Sequence, residues 1–471
     1  MLAPGSLGLR SLLSIAALAA VGLVAAACGD DGPSVSTTGG QGGSGTGGGG
    51  TGGDGAGTPG DKPTCLDPDQ PASAVPDVRA DSAAALSADG TAAVLFGGDI
   101  ANVVCPNIPP KMPVADTWVL DVGCGQWTEL QVAGPSARSR HSMVSDHSRN
   151  RALSFGGRWR ADPNSGSYTL YNDVWAFDFA SQSWSEIATT GTGPEPRYNA
   201  SLVMAGDEMI VFGGGTATSA TSFDPVNTVY ALNLTTNEWR QITPAGAAPA
   251  PRLFHSATYD PVNGRMFIGY GSDNSAFTTT QFFQDQWALD LATSTWHELQ
   301  IAEPLEVPYG RIKGAMFFRP STDGVEPDWL YQFAGHDDAA TVDALGNRND
   351  VLAVPLPPGA SLDSLGPLQF QIVRAGDVFE SGSTGTCQFP ANFVTYDFES
   401  PERRSAFAFS TTADGLSFFM FGGDSDCDRL SDSWWFNTST GAWSKVRESL
   451  PGLTCPRTNG GDLAACAGMC G

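Results

Sequence analysis

Short apolar runs that end in glycine recur along the chain. Each is followed, after a loop of variable length, by a strand-like segment built on an aromatic residue, and then by a second aromatic strand. The clearest copy reads Phe155-Gly156-Gly157, then Asp173-Val174-Trp175-Ala176-Phe177-Asp178, then Trp184. Over residues 173–179, Trp175, Phe177 and Phe179 alternate on one face while Val174 and Ala176 occupy the other. A strand that is apolar on both faces is expected between two sheets, not at a solvated surface. Outside the first 27 residues no comparable stretch keeps helical spacing, so the pattern predicts an all-β chain.

The repeat has four parts and occurs six times. An arginine after a proline-containing turn opens each copy: Arg79, Arg138, Arg197, Arg252, Arg311 and Arg403. A strand of small residues follows, then the glycine-terminated run at 94–98, 152–157, 210–214, 266–271, 331–335 and 418–423. The third part carries Trp118, Trp175, Tyr230, Trp287, Leu352 or Trp434, and the fourth opens at Trp127, Trp184, Trp239, Trp296, Phe370 or Trp443. These two markers stand nine residues apart in five copies, enough for the rest of one strand, a tight turn and the start of its antiparallel neighbour. The copy with Leu352 stretches this gap to 18, with Pro355, Pro357, Pro358 and Gly359 inside it, which reads as a loop insertion.

A unit of four short strands cannot bury both of its faces alone. Stacked radially, such units make a β-propeller. The double glycine, the aromatic strand and the spaced tryptophan resemble the kelch repeat, across roughly residues 77 to 449. The resemblance implies a six-bladed kelch-type β-propeller of four-stranded antiparallel blades. Tyr270-Gly271 and Ala334-Gly335 depart from Gly-Gly, and Leu352 and Phe370 from the aromatic positions, but phase is kept. The Gly-His and Trp-Asp dipeptides of a WD40 propeller are absent where they would be needed. Since the first copy has its own inner strand and the last ends with Trp443, closure by exchanging a strand between the termini is not demanded. Disulfide and tail contacts are expected to close the ring.

The flanks suggest where such a ring would reside. Residues 1–27 read as a secretory signal: Arg10, an apolar run over 12–24, and small residues before Cys28. Cys28 resembles the lipidated cysteine of a bacterial lipobox, although Ala25 stands where that motif usually has leucine. Residues 29–64 are nearly all Gly, Ser, Thr and Asp. They cannot offset their ordering entropy and are expected to be a disordered linker with a reach on the order of 30–35 Å. The organisation expected is therefore signal peptide 1–27, lipid-attachment cysteine and linker 28–64, propeller 65–449, and a cysteine-containing tail 450–471. Localisation would be the bacterial cell envelope, lipid-anchored and facing the periplasm or the exterior.

Charge removes one class of partner. The chain carries 25 basic against 50 acidic residues, and a net charge of −25 repels nucleic acid except at a locally basic site. Of nine cysteines, eight remain once Cys28 is set aside, an even number for an oxidising compartment. Their placement suggests pairs: Cys105 and Cys124 lie within the first repeat, Cys387 and Cys427 within the last. Cys65, Cys455, Cys466 and Cys470 sit at the ends, where Cys65 with a tail cysteine would staple the circle. Connectivity stays open, and a metal cluster on Cys466 and Cys470 lacks further ligands.

Several residues invite chemistry. The six arginines would ring one end of the channel and could hold a carboxylate or sulfate, or else pair with an aspartate of an adjacent blade such as Asp116, Asp173, Asp285 or Asp350. His141 and His255 occupy equivalent inner-strand positions, with Ser82, Ala200, Gly314 and Ala406 as counterparts. In blades about 120° apart they suit structure better than a shared metal. The copper site of kelch-type galactose oxidases needs a Tyr–Cys crosslink, for which no adjacent free cysteine exists. Asp424, Asp426, Asp428 and Asp432 alternate as Ca²⁺ ligands would, but Arg429 stands where a turn glycine is required. Trp159 and Tyr168, with Arg158, Arg160 and Tyr171, mark a long loop suited to stacking on a sugar or to a protein hot spot. No nucleophile elbow and no phosphate loop appears in proper context. The expectation is an envelope-anchored, monomeric binding or adhesion module for a protein or glycan partner, with no cofactor, metal or catalytic set assigned. The alternative is a carbohydrate-active enzyme, epimerase-like or oxidase-like.

Overall fold

The computed structural model describes residues 58–69, 73–100, 112–162, 165–274, 282–302, 310–337, 347–377, 398–425 and 429–450. The chain divides into two units, Met1–Ala56 and Gly57–Gly471, and every described residue belongs to the second. Cys28, Cys105, Cys387, Cys427, Cys455, Cys466 and Cys470 lie outside the described residues. Within them the regular structure is strand, apart from two single-turn 3₁₀ segments, His147–Arg149 and Leu362–Ser364.

Six antiparallel blades follow one another in chain order, each built from one continuous stretch of sequence. Blade 1 is typical: Ala83–Leu86, Ala92–Phe96, Thr117–Asp121 and Gln126–Leu130 pair successively from the inside out. The innermost strands of the others are Ser142–Asp146, Ser201–Ala205, Ser256–Asp260, Ala315–Arg319 and Ala408–Thr411. All six border a single central cavity. The insertion in blade 5 is a loop, as expected, and its outer strand Gln371–Arg374 still pairs with the strand carrying Leu352.

Between each pair of neighbouring blades lies one hydrophobic cluster. Phe96 of blade 1 meets Phe177 and Trp184 of blade 2, and Phe419, Phe421 and Trp435 of blade 6 meet Leu86 and Trp127 of blade 1. The two-sided apolar strands read from the sequence are thus used on both faces.

The arginines bind the ring together, but inside the blades. Arg79 forks onto Asp116 at 2.7 and 2.7 Å, Arg138 onto Asp173 at 2.6 and 2.8 Å, Arg252 onto Asp285 and Arg311 onto Asp350 at 2.8 and 2.7 Å each. Each aspartate belongs to the arginine's own blade, not to an adjacent one as expected. The reason is topological: the aspartate opens the third strand at the end of the sheet where the arginine enters the first. The indole two residues on donates to the same carboxylate in four blades, from Trp118, Trp175, Trp287 and Trp434. Blade 3 lacks both parts together: Thr228 stands for the aspartate and Tyr230 for the tryptophan.

The sixth arginine is Arg404, not Arg403. Arg404 forks onto Asp432 at 2.6 and 2.9 Å and donates to the Gly422 carbonyl at 3.0 Å. A proline stands three residues before the arginine in every blade: Pro76, Pro135, Pro194, Pro249, Pro308 and Pro401. That spacing decides between the two members of the Arg403-Arg404 doublet.

Main-chain bonds complete the circle. The second glycine of each pair donates its N–H to the carbonyl of the next blade's arginine: Gly98 to Arg138, Gly157 to Arg197, Gly214 to Arg252, Gly271 to Arg311, Gly335 to Arg404 and Gly423 to Arg79. Its φ lies between 91° and 108°, beyond what an L side chain adopts readily, and a Cβ on Gly157 would lie 2.8 Å from that of His141. The first member has φ near 60°, which Tyr270 and Ala334 also adopt at 65° and 56°. Hence the first glycine is dispensable and the second is kept in all six copies.

The seam between blades 6 and 1 carries an additional strap at the hairpin-turn face. Trp435 and Ser417 of blade 6 donate to the Gly60 carbonyl at 2.9 and 2.8 Å, and Asn437 donates to the Pro59 carbonyl and to Asp61. Lys62 then reaches the Gly123 carbonyl of blade 1. Cys65 is bonded to Cys124, which corrects two readings: Cys124 does not pair with Cys105, and Cys65 does not pair with the tail. Cys124 sits in the outer turn of blade 1, beside which the strap passes before climbing to Arg79. Trp435, which stands outside the marker positions of the repeat, thereby finds a role.

Candidate binding site at the channel mouth

Two residues beyond each arginine the chain turns from a radial course down into the inner strand. The turn requires a left-handed residue, and none of the six is glycine: Asp81, Arg140, Asn199, Phe254, Lys313 and Ala406 have φ from 51° to 60°. A relay around the ring, open between Asn199 and Phe254, holds them there. Asp81 donates its N–H to Ala406, Arg140 to Asp81, Asn199 to Arg140, Lys313 to Phe254 and Ala406 to Lys313, all at 2.8–2.9 Å. The backbone is thus fixed by the ring while the side chain is left open, and these six side chains surround the mouth of the cavity.

Asp81 is the electrostatic centre. Arg140 Nε approaches it at 3.1 Å and Lys313 Nζ at 3.3 Å. Burial alone would raise its pKa, but Lys313, Arg140, Arg158 and Arg429 more than offset this and hold the carboxyl well below the usual range. Burial, opposed by Asp81, lowers the Lys313 amine. Arg158 lies between the rings of Tyr168, at 3.9 Å, and Tyr198, at 4.9 Å, and burial with the neighbouring Arg140 brings it down to about 10. Arg140 and Lys313 also flank the Phe254 ring at 5.3 and 5.4 Å. Phe254 joins Tyr198, Leu253, Phe282 and Ile312 in an apolar floor. Two buried donors at neighbouring ring positions, Arg140 Nη1 and Asn199 Nδ2, have no hydrogen-bond partner among the described residues.

Below the mouth the cavity holds about 410 Å³. His141 and His255 line its wall, and both act as wedges. His141 sets its edge on Phe96 and His255 on Phe212, in the seams between blades 1 and 2 and blades 3 and 4. Burial, reinforced by Arg138 and Arg252 respectively, brings each imidazole down to about 3. With Arg404 as the sixth arginine, their blade 6 counterpart is Phe407, not Ala406, so the position accepts more than small residues. His255 Nε2 lies 2.9 Å from Ser201 Oγ, the spacing of a nucleophile and its base. An imidazole this acidic is a poor base near neutral pH, and among the described residues no carboxylate orients its Nδ1, so the pair lacks two features of a catalytic dyad.

The other residues singled out from the sequence are distributed as follows. None of the six expected arginines lines the cavity; Arg79, Arg138, Arg252 and Arg311 are engaged by their aspartates, while Arg197 has Thr228 and the Gly213 carbonyl. Arg403 is buried. Trp159 belongs to a small hairpin, Arg158–Trp159 paired with Thr169–Leu170. Tyr168 is held between Arg158 and Arg160 and donates its N–H to Thr218 of blade 3, so this loop packs on itself and on its neighbour. Asp424 pairs with Arg429 and Asp432 with Arg404, while Asp426 and Asp428 lie outside the described residues. Among the described residues no group of three metal-binding side chains occurs. The mouth residues Asp81, Arg140, Asn199, Phe254 and Lys313 were not anticipated. The signal was available: aligned on the arginine, this is the repeat position where side-chain chemistry differs most.

A ring of six such blades is the architecture of a kelch propeller, and sequence comparison agrees. The family model of the KLHDC2/KLHL20/DRC7 Kelch-repeats domain matches residues 81–319, and the chain belongs to the kelch-repeat family. The alpha chain of the flagellar outer arm dynein of Chlamydomonas reinhardtii is 31% identical over 195 residues, 39% of this chain and 4% of that one. The leucine-zipper-like transcriptional regulator 1 homolog of Drosophila melanogaster is 29% identical over 181 residues, 37% of this chain and 17% of that one. Human Kelch domain-containing protein 10 is 28% identical over 172 residues, 35% of this chain and 36% of that one. The matches therefore span well under half of these relatives. The solved structure of YjhT covers 79% of this chain and 98% of its own, at a TM-score of 0.51 and 12% identity, a likeness of fold.

Proposed function

We propose that this kelch propeller is a partner-binding module displayed on a bacterial envelope, tethered through Cys28 and presenting its channel mouth to a protein. The observation that carries the reading is the mouth ring: six positions with one backbone conformation and six unlike side chains, among them two cations, a carboxylate and an aromatic. Elsewhere the repeat spends its polar residues on its own blades. Kelch propellers are generally protein-interaction modules, which favours a protein over a glycan as the partner.

The described chain enters on the face opposite the mouth. The first described residues, Thr58–Cys65, cross the hairpin-turn face, bonded to Ser417, Asn437 and the turn at Gly123. The mouth ring opens on the opposite face.

Photo-crosslinking on full-length protein in cells tests this. A crosslinker in place of Asn199 is expected to capture a defined protein, whereas one in place of Asp89, on a turn of the opposite face, is not. Labelling with radioactive palmitate is expected in the native chain and not in Cys28→Ser. Equal capture from both faces, or glycan-array binding without protein capture, would refute the reading.

A further inference from the structure

We infer that the mouth is an oxyanion site: it takes a carboxylate, sulfate or phosphate group of a ligand between Arg140, Asn199 and Lys313, with Asp81 limiting how tightly. This deepens the reading of the mouth as the working face and rests on it.

The argument begins with charge. In a chain of net charge −25 the mouth gathers Arg140, Lys313 and Arg158 around one carboxylate, Asp81. Arg429, also near, is engaged by Asp424 at 2.9 Å and Asp99 at 3.4 Å. Arg158 is covered on both faces by tyrosine rings and makes no ion pair with them. With Arg429 and its two carboxylates counted, four cations face three anions, Asp81, Asp424 and Asp99, a local excess of one positive charge on an otherwise acidic protein.

The second observation is geometric. Asp81 takes the Nε edge of Arg140, and leaves Nη1 without an acceptor. Asn199, the next position of the relay, likewise has Nδ2 unsatisfied. Both atoms are closed to solvent, so an acceptor from outside reaches them only when the mouth side chains shift to admit it, and the cost of leaving them unpaired favours that shift. The guanidinium fork and the amide suit an oxygen pair, as carboxylate, sulfate and phosphate all present.

The third is the contrast with the other arginines. Arg79, Arg138, Arg252, Arg311 and Arg404 each have an aspartate in their own blade. Arg140, which lines the cavity, departs from that economy: its carboxylate, Asp81, belongs to the neighbouring blade and is shared with Lys313. Phe254 beside both cations gives the ligand an apolar contact next to its charge.

The test uses full-length protein in detergent and inorganic sulfate as probe, with sodium chloride at matched ionic strength as reference. Thermal unfolding is expected to shift upward and saturate with sulfate in the native chain. Arg140→Gln and Lys313→Gln should each weaken the apparent affinity roughly tenfold, one charge-assisted hydrogen bond. Asp81→Asn should tighten it at least roughly tenfold, by removing a negative charge beside the ligand. That gain cannot arise from a misfolded variant. Lys445→Gln, on the outer strand of blade 6, should leave the response unchanged. A native response no different from chloride, or an Asp81→Asn variant that binds no better, would overturn the inference. Capture of a protein at Asn199 with no sulfate response would discard the oxyanion site and leave the working face. Sulfate binding without capture would do the reverse.

Discussion

Blade 3 is a natural experiment on the other five. Where they place an aspartate and usually a tryptophan, it has Thr228 and Tyr230. In blade 4, Asp285 accepts two bonds from Arg252 at 2.8 and 2.7 Å and one from the Trp287 indole at 2.6 Å. Replacing Asp285 by threonine leaves a fully buried guanidinium with neutral acceptors and an indole N–H with none. Removing one partner of a buried pair costs about 3–5 kcal/mol. Because the Asp285 side chain is 25% exposed, water softens this to about 2–3 kcal/mol, or about 3 °C in Tm for a ring of this length unfolding as one. Trp287→Tyr alone loses packing. Once the carboxylate is gone, however, the tyrosine removes the stranded N–H, as in blade 3.

The double variant Asp285→Thr with Trp287→Tyr should therefore be less unstable than the sum of its parts by about 1 kcal/mol. Chemical denaturation followed by circular dichroism, on all four corners of the cycle, measures this. Additivity within about 0.5 kcal/mol would show that the indole and the carboxylate do not act as a unit, and would refute the account of why the two substitutions occur together.

Other outcomes follow from the same structure. Thr228→Asp should stabilise blade 3 by about 1 kcal/mol, since Arg197 is buried and its nearest carboxylate, Glu195, is mostly exposed at 3.4 Å; unchanged unfolding in urea would contradict it. His141 and His255 stay neutral down to about pH 3 when folded but bind protons below about pH 6.5 when unfolded. Stability should thus fall as pH drops from 6.5 towards 3, by about 2.7 kcal/mol per histidine at pH 4.5, and His255→Gln should flatten that slope in pH-dependent calorimetry. Reduction of Cys65–Cys124, which closes a 59-residue separation, should cost about 2–4 kcal/mol and lower the Tm; an unchanged Tm would mean the strap holds without it. Gly157→Ala should destabilise more than Gly264→Ala, where φ is also positive but no atom lies within 4 Å, a ranking that thermal melts of the two variants decide.

The blades were legible because burial imposes period two on every strand and geometry imposes a glycine at every blade end. Trp175, Phe177 and Gly157 could hardly be read otherwise. The site was not legible by the same route. Arg79 and its counterparts attracted notice as charges recurring in phase, yet that recurrence is what a structural ion pair produces. Asp81, Arg140, Asn199, Phe254 and Lys313 share no residue type, so no motif search gathers them; what they share is a φ and a relay of main-chain bonds. The Arg403-Arg404 doublet misled because the arginine was located by type, when the proline at 401 fixes its position by spacing. Cys124 was assigned by proximity along the chain, whereas its partner was decided by where the strap crosses the turn of blade 1.

A closed ring of backbone bonds separates two demands that compete in most binding sites. Donors held for a ligand must stay unsatisfied in its absence, and such donors would ordinarily pull the backbone toward an internal acceptor. Here the inter-blade glycine bonds close the ring and the mouth relay joins five of its six steps, so the main chain two residues beyond the arginines is held without help from those side chains. One blade can then exchange Asn199 for another residue without disturbing the next. Asp81 is the exception, since it anchors both Arg140 and Lys313. It follows that substitutions at 199 should alter partner affinity with little change in stability, whereas changes at 81, and at the buried Phe254, should alter both.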